Sequence, residues 1–258
     1  LRARGETWDE LAEHLSARYR VICPDTIGRG LSQWSPQPEE EYTMPFYARI
    51  AADLLRSLGL QRVHWVGTSM GGVLGTVCAS GLFVPELKSR IATLVLNDSA
   101  PQFAAPALDR IRAYAGAPPT FDTVMELEAF FRRVYAPYGW LSDAQWRRLT
   151  ETSTRRLPDG RVTPHYDPRL MDQFIKQPND AHIWDHYDAL DLPVLCLRGA
   201  ESDLVERSTV DAMLARGPGA RGQATVIEVT GCGHAPALNV PEQLALVSDF
   251  LARHPLGG

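Results

Sequence analysis

The chain is nearly without lysine: Lys88 and Lys176 are its only two, and dispersed arginines supply the rest of its positive charge. With 26 basic residues against 31 acidic ones the net charge is -5 and the pI near 5.8. Binding a polyanion needs a basic face that displaces counterions, so nucleic acid is excluded as a partner. No apolar run reaches the ~18 to 20 residues that span a bilayer, and a soluble chain without a membrane partner is expected. Cysteine is sparse as well. Cys23, Cys78, Cys196 and Cys232 show no C-x-x-C spacing, which argues against a disulfide framework or a zinc site and for buried reduced thiols in a cytoplasmic protein. The first residue is Leu1 rather than Met, so an upstream signal segment stays open.

What the chain does contain is ordinary globular material. Its 258 residues are 45% hydrophobic and 22% charged, enough to bury roughly 70 to 75% of the unfolded surface in one core with an insertion. The organising stretch is Val63 to Gly72, V-H-W-V-G-T-S-M-G-G. An apolar run enters Gly67-Thr68-Ser69-Met70-Gly71, and a small-residue helical stretch follows. This is strand, tight turn, helix. Gly67 and Gly71 let strand and helix approach, and Ser69 can take the strained backbone that lifts its hydroxyl out of the sheet. The bland alternative is a glycine-rich connection whose serine merely caps a helix.

Around this stretch the pattern alternates. Thr7 to Glu10 has capping-box spacing ahead of Leu11 and Leu15, predicting a helix to about Ala17. Tyr19 to Pro24 reads as a buried strand and Asp25 to Ser32 as a glycine-broken loop, with Asp25 its anchor. Phe46, Ile50, Leu54, Leu55 and Leu58 recur at helical spacing up to Gly59. Ile91–Leu96, Pro193–Leu197 and Ala224–Val229 are further strands, and Pro241 opens a closing helix through Leu244, Val247, Phe250 and Leu251. Strands alternating with helices imply a parallel sheet, whose ligand sites lie beyond the carboxyl ends of the strands. Residues 99–187 are expected to form a helical cap, leaving 1–98 and 188–258 as the core. Capping-box spacing at Ser142 and Gln145, the face Val124-Leu127-Phe131-Val134, and a concentration of aromatics (Tyr114, Phe130, Tyr135, Tyr138, Trp140, Tyr166, Trp184, Tyr187) predict cap helices and an apolar pocket over Ser69.

Three chemistry-bearing residues end different strands: Ser69, Asp203 in R-G-A-E-S-D, and His234 in G-C-G-H-A-P. With the P-D-x-x-G-R-G-x-S loop from Pro24, these motifs and their order identify a chain that resembles the α/β-hydrolase superfamily over almost its whole length. The resemblance implies an α/β fold with a mostly parallel sheet flanked by helices, and a nucleophile (Ser69), an acid (Asp203) and a base (His234). A serine hydroxyl needs a base within ~3 Å, and the base needs a carboxylate to fix its tautomer. Some relatives carry the acid at the end of the preceding strand, where this chain has Asp98.

The resemblance also implies two oxyanion donors, each worth roughly 3 to 4 kcal/mol. The Met70 N–H is one. The other follows a His-Gly pair that this chain lacks, and alignment of Leu1 through Trp8 with the loop beyond that pair points to the Leu1 N–H and to opening strands before Leu1. Ser69, where a dehalogenase or epoxide hydrolase would carry aspartate, implies acyl transfer to water from a carboxylic ester or lactone. Carbon-carbon hydrolases of the meta-cleavage type typically show Asn before the nucleophile and Trp after the histidine, against Thr68 and Ala235 here. Acyl transfer to another acceptor and ligand binding without turnover remain alternatives. No cofactor or metal is implied: His64 reads as a core histidine, His182 and His186 lack a third ligand, and Cys232 reads as packing.

Overall fold

A computed structural model describes residues 8–171 and 182–256. Helix α1 (Asp9–Ser16) comes first, then an irregular stretch that leads to the short α2 (Pro38–Glu41) and to α3 (Met44–Ser57). Strand β1 (Val63–Thr68), α4 (Met70–Ser80), α5 (Leu87–Arg90) and β2 (Ile91–Asn97) follow. Between β2 and the next strand of the main sheet lie α6 (Ala105–Ala115), α7 (Val124–Val134), α8 (Asp143–Thr152), the hairpin strands β3 (Thr154–Arg156) and β4 (Val162–Pro164), and α9 (Trp184–Asp188). The chain then runs through β5 (Val194–Gly199), α10 (Arg207–Ala215), α11 (Gly217–Ala220), β6 (Ala224–Val229) and α12 (Pro241–Ala252).

The main sheet has the order β1-β2-β5-β6 with every pairing parallel. β2 and β5 are buried at every position, and their unbroken apolar runs are what a strand covered on both faces requires. One core cluster joins α3, α4, β2 and β5 through residues such as Tyr47, Val77, Leu94, Leu96 and Val194. A second, on the opposite face, joins α1 and α12 through Leu11, Leu15, Val95, Leu195, Val247 and Phe250. The α/β fold with helices on both faces of a parallel sheet is as expected.

The first expected strand needs correction. Tyr19–Pro24 joins no ladder among the described residues: its apolar character fits a strand, but a strand exists only where a neighbour exchanges hydrogen bonds. Val21 packs on the α1/α12 side of the sheet, while Cys23 is exposed rather than buried. The buried face of α3 is Met44, Tyr47, Ala48, Ala51, Ala52 and Leu55. The bulkier Ile50, Leu54 and Leu58 are rotated towards a groove beside β1, because alanines let the helix axis approach the sheet closely. The capping box anticipated at Thr7 falls on a residue outside the described ones; α1 begins after Trp8 with no side-chain cap.

The insertion has its own core. Leu127, Phe131, Tyr135, Tyr138, Trp146, Leu149 and Val162 form one cluster, with Tyr135 and Tyr138 stacked at 4.8 Å. Both α7 and α8 start with complete capping boxes, Thr123 with Glu126 and Ser142 with Gln145; only the second was anticipated. Trp140, expected among the packed or pocket-lining aromatics, is 70% exposed.

Candidate active site

The turn from β1 to α4 has the expected strained geometry. Ser69 sits at φ 52°, ψ −120°, a left-handed region that costs a non-glycine residue on the order of 1–3 kcal/mol. Surrounding structure enforces it: the Ser69 N–H donates to the Asn97 carbonyl at 3.1 Å, and the N–H groups of Gly72 and Val73 donate back to the Ser69 carbonyl. Gly67 permits the close approach, since a Cβ there would lie 2.2 Å from the Gly71 carbonyl. Gly71, expected to share that task, has open space where a Cβ would point. The Met70 N–H is the first amide of α4, at the end of the helix where the dipole is positive.

Asp98 follows β2 directly, with φ 45°, and is fully buried. Its Oδ1 accepts the Gly199 N–H at 2.9 Å; its Oδ2 accepts the Ser202 hydroxyl and the His234 Nδ1–H, both at 2.7 Å. Three donors offset the cost of burying the carboxylate. The histidine loop reaches the acid because Gly199 lacks a side chain; a Cβ there would lie 2.1 Å from the Gly233 carbonyl. Asn97 adds a second tie, donating through Nδ2 to Thr68 Oγ1 and to the Pro236 carbonyl, both at 2.9 Å.

Asp203, the acid anticipated from its motif, is not the partner of His234. Its side chain is about half exposed and ion-paired in bidentate fashion with Arg110 of α6, with Arg110 Nη2 to Oδ1 at 3.0 Å. That guanidinium holds the Asp203 carboxyl below the usual aspartate range. The anticipated loop does contribute, through Ser202 and the Gly199 amide, by holding Asp98. The signal for Asp98 was its position: it ends a buried strand adjacent to the elbow strand, where a parallel sheet presents its ligand groups.

The remaining candidates have structural partners. Asp25 Oδ2 accepts the Leu31 N–H at 2.9 Å, anchoring its own loop. His64 Nδ1 pairs with Thr93 Oγ1 at 2.8 Å, and burial lowers its pKa, helped by His254 and Arg62. His186 Nδ1 meets Ser80 Oγ at 2.8 Å and packs edge-on against Phe83, while His182 is exposed. Cys232 is buried, donates to the Val229 carbonyl, and has its thiol pushed up to about 11 by burial and by Asp98 and Glu201. Leu1 lies outside the described residues.

Ser69, Met70 and His234 line a cavity of about 1070 Å³ that passes beneath Tyr135 and Tyr138 and continues into the groove beside β1. Arg29 also lines it and was not anticipated as a site residue. The carboxyl ends of β1, β2 and β6 thus lead into a strained serine, a buried aspartate and a histidine held by it.

The sequence profile of the alpha/beta hydrolase family matches residues 2–246, so the chain belongs to that family. It is 37% identical over 255 residues, 95% of this chain and 84% of the other, to a 3-hydroxybutyrate-oligomer hydrolase of Cupriavidus necator. An esterase of Mycobacterium tuberculosis is 25% identical over 93% of this chain and 76% of its own. Among solved structures, an alpha/beta hydrolase from Novosphingobium aromaticivorans superposes with a TM-score of 0.83 at 30% identity, covering 98% of this chain and 86% of its own.

Proposed function

We propose that this chain is a serine hydrolase of carboxylic esters, with Ser69 as nucleophile, His234 as general base and acid, and Asp98 as the carboxylate that orients His234. The observation that carries this reading is the 2.7 Å bond from His234 Nδ1 to the fully buried Asp98. It fixes the tautomer with the proton on Nδ1 and leaves Nε2 as the acceptor that a serine hydroxyl requires.

In the reaction the Ser69 oxygen attacks the ester carbonyl while its proton passes to His234 Nε2. Negative charge grows on the carbonyl oxygen beside the Met70 N–H at the α4 N-terminus, where backbone donors and the helix dipole stabilise it. His234 returns the proton to the leaving alkoxide, and an acyl-enzyme remains. Water, activated by the same histidine, attacks this ester and frees Ser69. Asp98 stays ionised throughout and stabilises the imidazolium.

The 3-hydroxybutyrate-oligomer hydrolase and the esterase among the relatives support ester chemistry. The first is similar over 84% of its own length, which favours short oligoesters of hydroxy acids as substrates. Residues 99–187 act as a cap in this reading, and the stacked Tyr135 and Tyr138 roof the acyl site. The test is hydrolysis of p-nitrophenyl esters from acetate to dodecanoate, with Ser69→Ala beside the natural enzyme and a fluorophosphonate as a label for the serine. A chain-length optimum, lost together with labelling in Ser69→Ala, is expected. Activity retained in Ser69→Ala would overturn the assignment.

A further inference from the structure

Arg29 lies in the loop between Asp25 and α2 and lines the same cavity as Ser69. It is 3% exposed, and a buried guanidinium is costly unless its donors are matched, by carboxylates above all. Here they are not. Among the described residues, Nη2 donates to the Met70 thioether sulfur at 3.2 Å, a weak acceptor, and buried Nη1 has no hydrogen-bond partner. The acid on the adjoining strap, Asp167, is taken by others: it accepts from Tyr42 Oη at 2.7 Å and from Arg169 Nε and Nη2. The Tyr47 hydroxyl is likewise buried, with no hydrogen bond of good geometry among the described residues, but it lies beside the Arg29 guanidinium: burial raises its pKa, and the Arg29 charge and a loose hydrogen bond to Arg29 act against that rise.

The backbone holds Arg29 in place. Gly28 N–H donates to the Gln33 carbonyl at 2.8 Å, Arg29 N–H to the Thr26 carbonyl at 3.0 Å, and Arg29 forms an isolated antiparallel bridge with Tyr166 of the insertion. The side chain contacts Met70, the residue that follows the nucleophile and carries the oxyanion donor. A fixed, buried cation with no carboxylate partner among the described residues, beside an ester-cleaving serine, is complementary to an anion on the substrate itself.

We propose that Arg29 is a substrate-binding residue for a free carboxylate, so that the enzyme acts on short esters bearing a carboxylate near the scissile bond. This rests on the ester-hydrolase reading. The carboxylate accepts a charge-assisted hydrogen bond from Arg29 Nη1, and the Tyr47 hydroxyl lies near enough to the guanidinium to donate a second. A linear hydroxy-acid oligoester ends in such a group, which directs cleavage to its carboxylate end and disfavours neutral esters.

The test compares the linear 3-hydroxybutyrate dimer, as free acid and as methyl ester, with the natural enzyme, Arg29→Gln and Arg29→Lys. The natural enzyme is expected to favour the free acid by at least about tenfold in kcat/KM, Arg29→Gln to bring the ratio near one, and Arg29→Lys to retain part of it, since ammonium keeps the charge without the planar fork. A ratio at or below one in the natural enzyme, or an undiminished ratio in Arg29→Gln, overturns the proposal while ester hydrolysis stands. If neither dimer is turned over, the hydrolase reading is what fails for these esters. Calorimetric titration of Ser69→Ala with both dimers then decides the carboxylate site separately: tighter binding of the free acid supports it, and equal binding overturns it. The titration also covers the case in which Arg29→Gln does not fold.

Discussion

Asp98 and Asp203 both lie near the histidine loop, and burial separates their roles. A buried carboxylate with three donors cannot be reoriented cheaply, whereas Asp203 is a half-exposed member of a surface pair with Arg110 whose contribution to stability is at most about 1 kcal/mol. The elbow glycines differ in the same way. Gly67→Ala places a methyl against the Gly71 backbone, and a loss of roughly 3 kcal/mol or more is expected. Gly71→Ala meets nothing and is expected to leave the melting temperature unchanged or slightly raised; thermal denaturation of the two variants checks the contrast. The G-x-S-x-G motif makes the two glycines look equivalent. Which one carries the contact depends on where each Cβ would point, and that is a property of the folded turn.

Elements were legible where one period or one cap decided them. The buried runs Ile91–Asn97 and Val194–Gly199 announce interior parallel strands, and Ser142 with Gln145 marks the start of α8. Ser142→Ala is expected to cost about 1 kcal/mol, read as a lower midpoint in urea. Tyr19–Pro24, apolar enough for a buried strand, neither joins a ladder among the described residues nor buries Ile22 and Cys23. On α3 the helix falls where the apolar spacing places it, and its buried face includes Leu55 with the small Ala48, Ala51 and Ala52. The Asp25–Ser35 loop carries a signal beyond reach of local pattern: Asp167, distant in sequence, accepts from Tyr42 and Arg169. Burial raises its pKa, but these donors outweigh burial and the net shift is downward. A carboxylate with a lowered folded pKa stabilises the fold above its unfolded value near 4, and that stability is lost as pH falls through the folded value. Melting temperature is therefore expected to decline below about pH 4, and Asp167→Asn to be less stable at pH 7 with a flatter acid limb.

At the scale of the molecule, the insertion and the core meet at the loops that carry the chemistry. Gly233 N–H donates to the Pro137 carbonyl at 2.7 Å, Asn239 Nδ2 to the Trp140 carbonyl at 3.0 Å, and Arg148 and Gln145 of α8 both reach Glu10 of α1. The histidine loop is thereby tied to the segment that roofs the cavity. No helix among the described residues is long and apolar enough to cross a membrane. Family and fold were readable because the serine, acid and histidine motifs fall at strand ends in a fixed order; that His234 pairs with Asp98 and not with Asp203 was not, because two aspartates follow neighbouring strands of the sheet and only three-dimensional packing chooses between them. The most direct measurement is therefore kcat for p-nitrophenyl butyrate with Asp98→Asn and Asp203→Asn side by side, each checked for folding. The account predicts a loss of roughly a thousandfold to ten-thousandfold for Asp98→Asn, with Asp203→Asn within about threefold of the natural enzyme. A large loss in Asp203→Asn with Asp98→Asn nearly intact would contradict it.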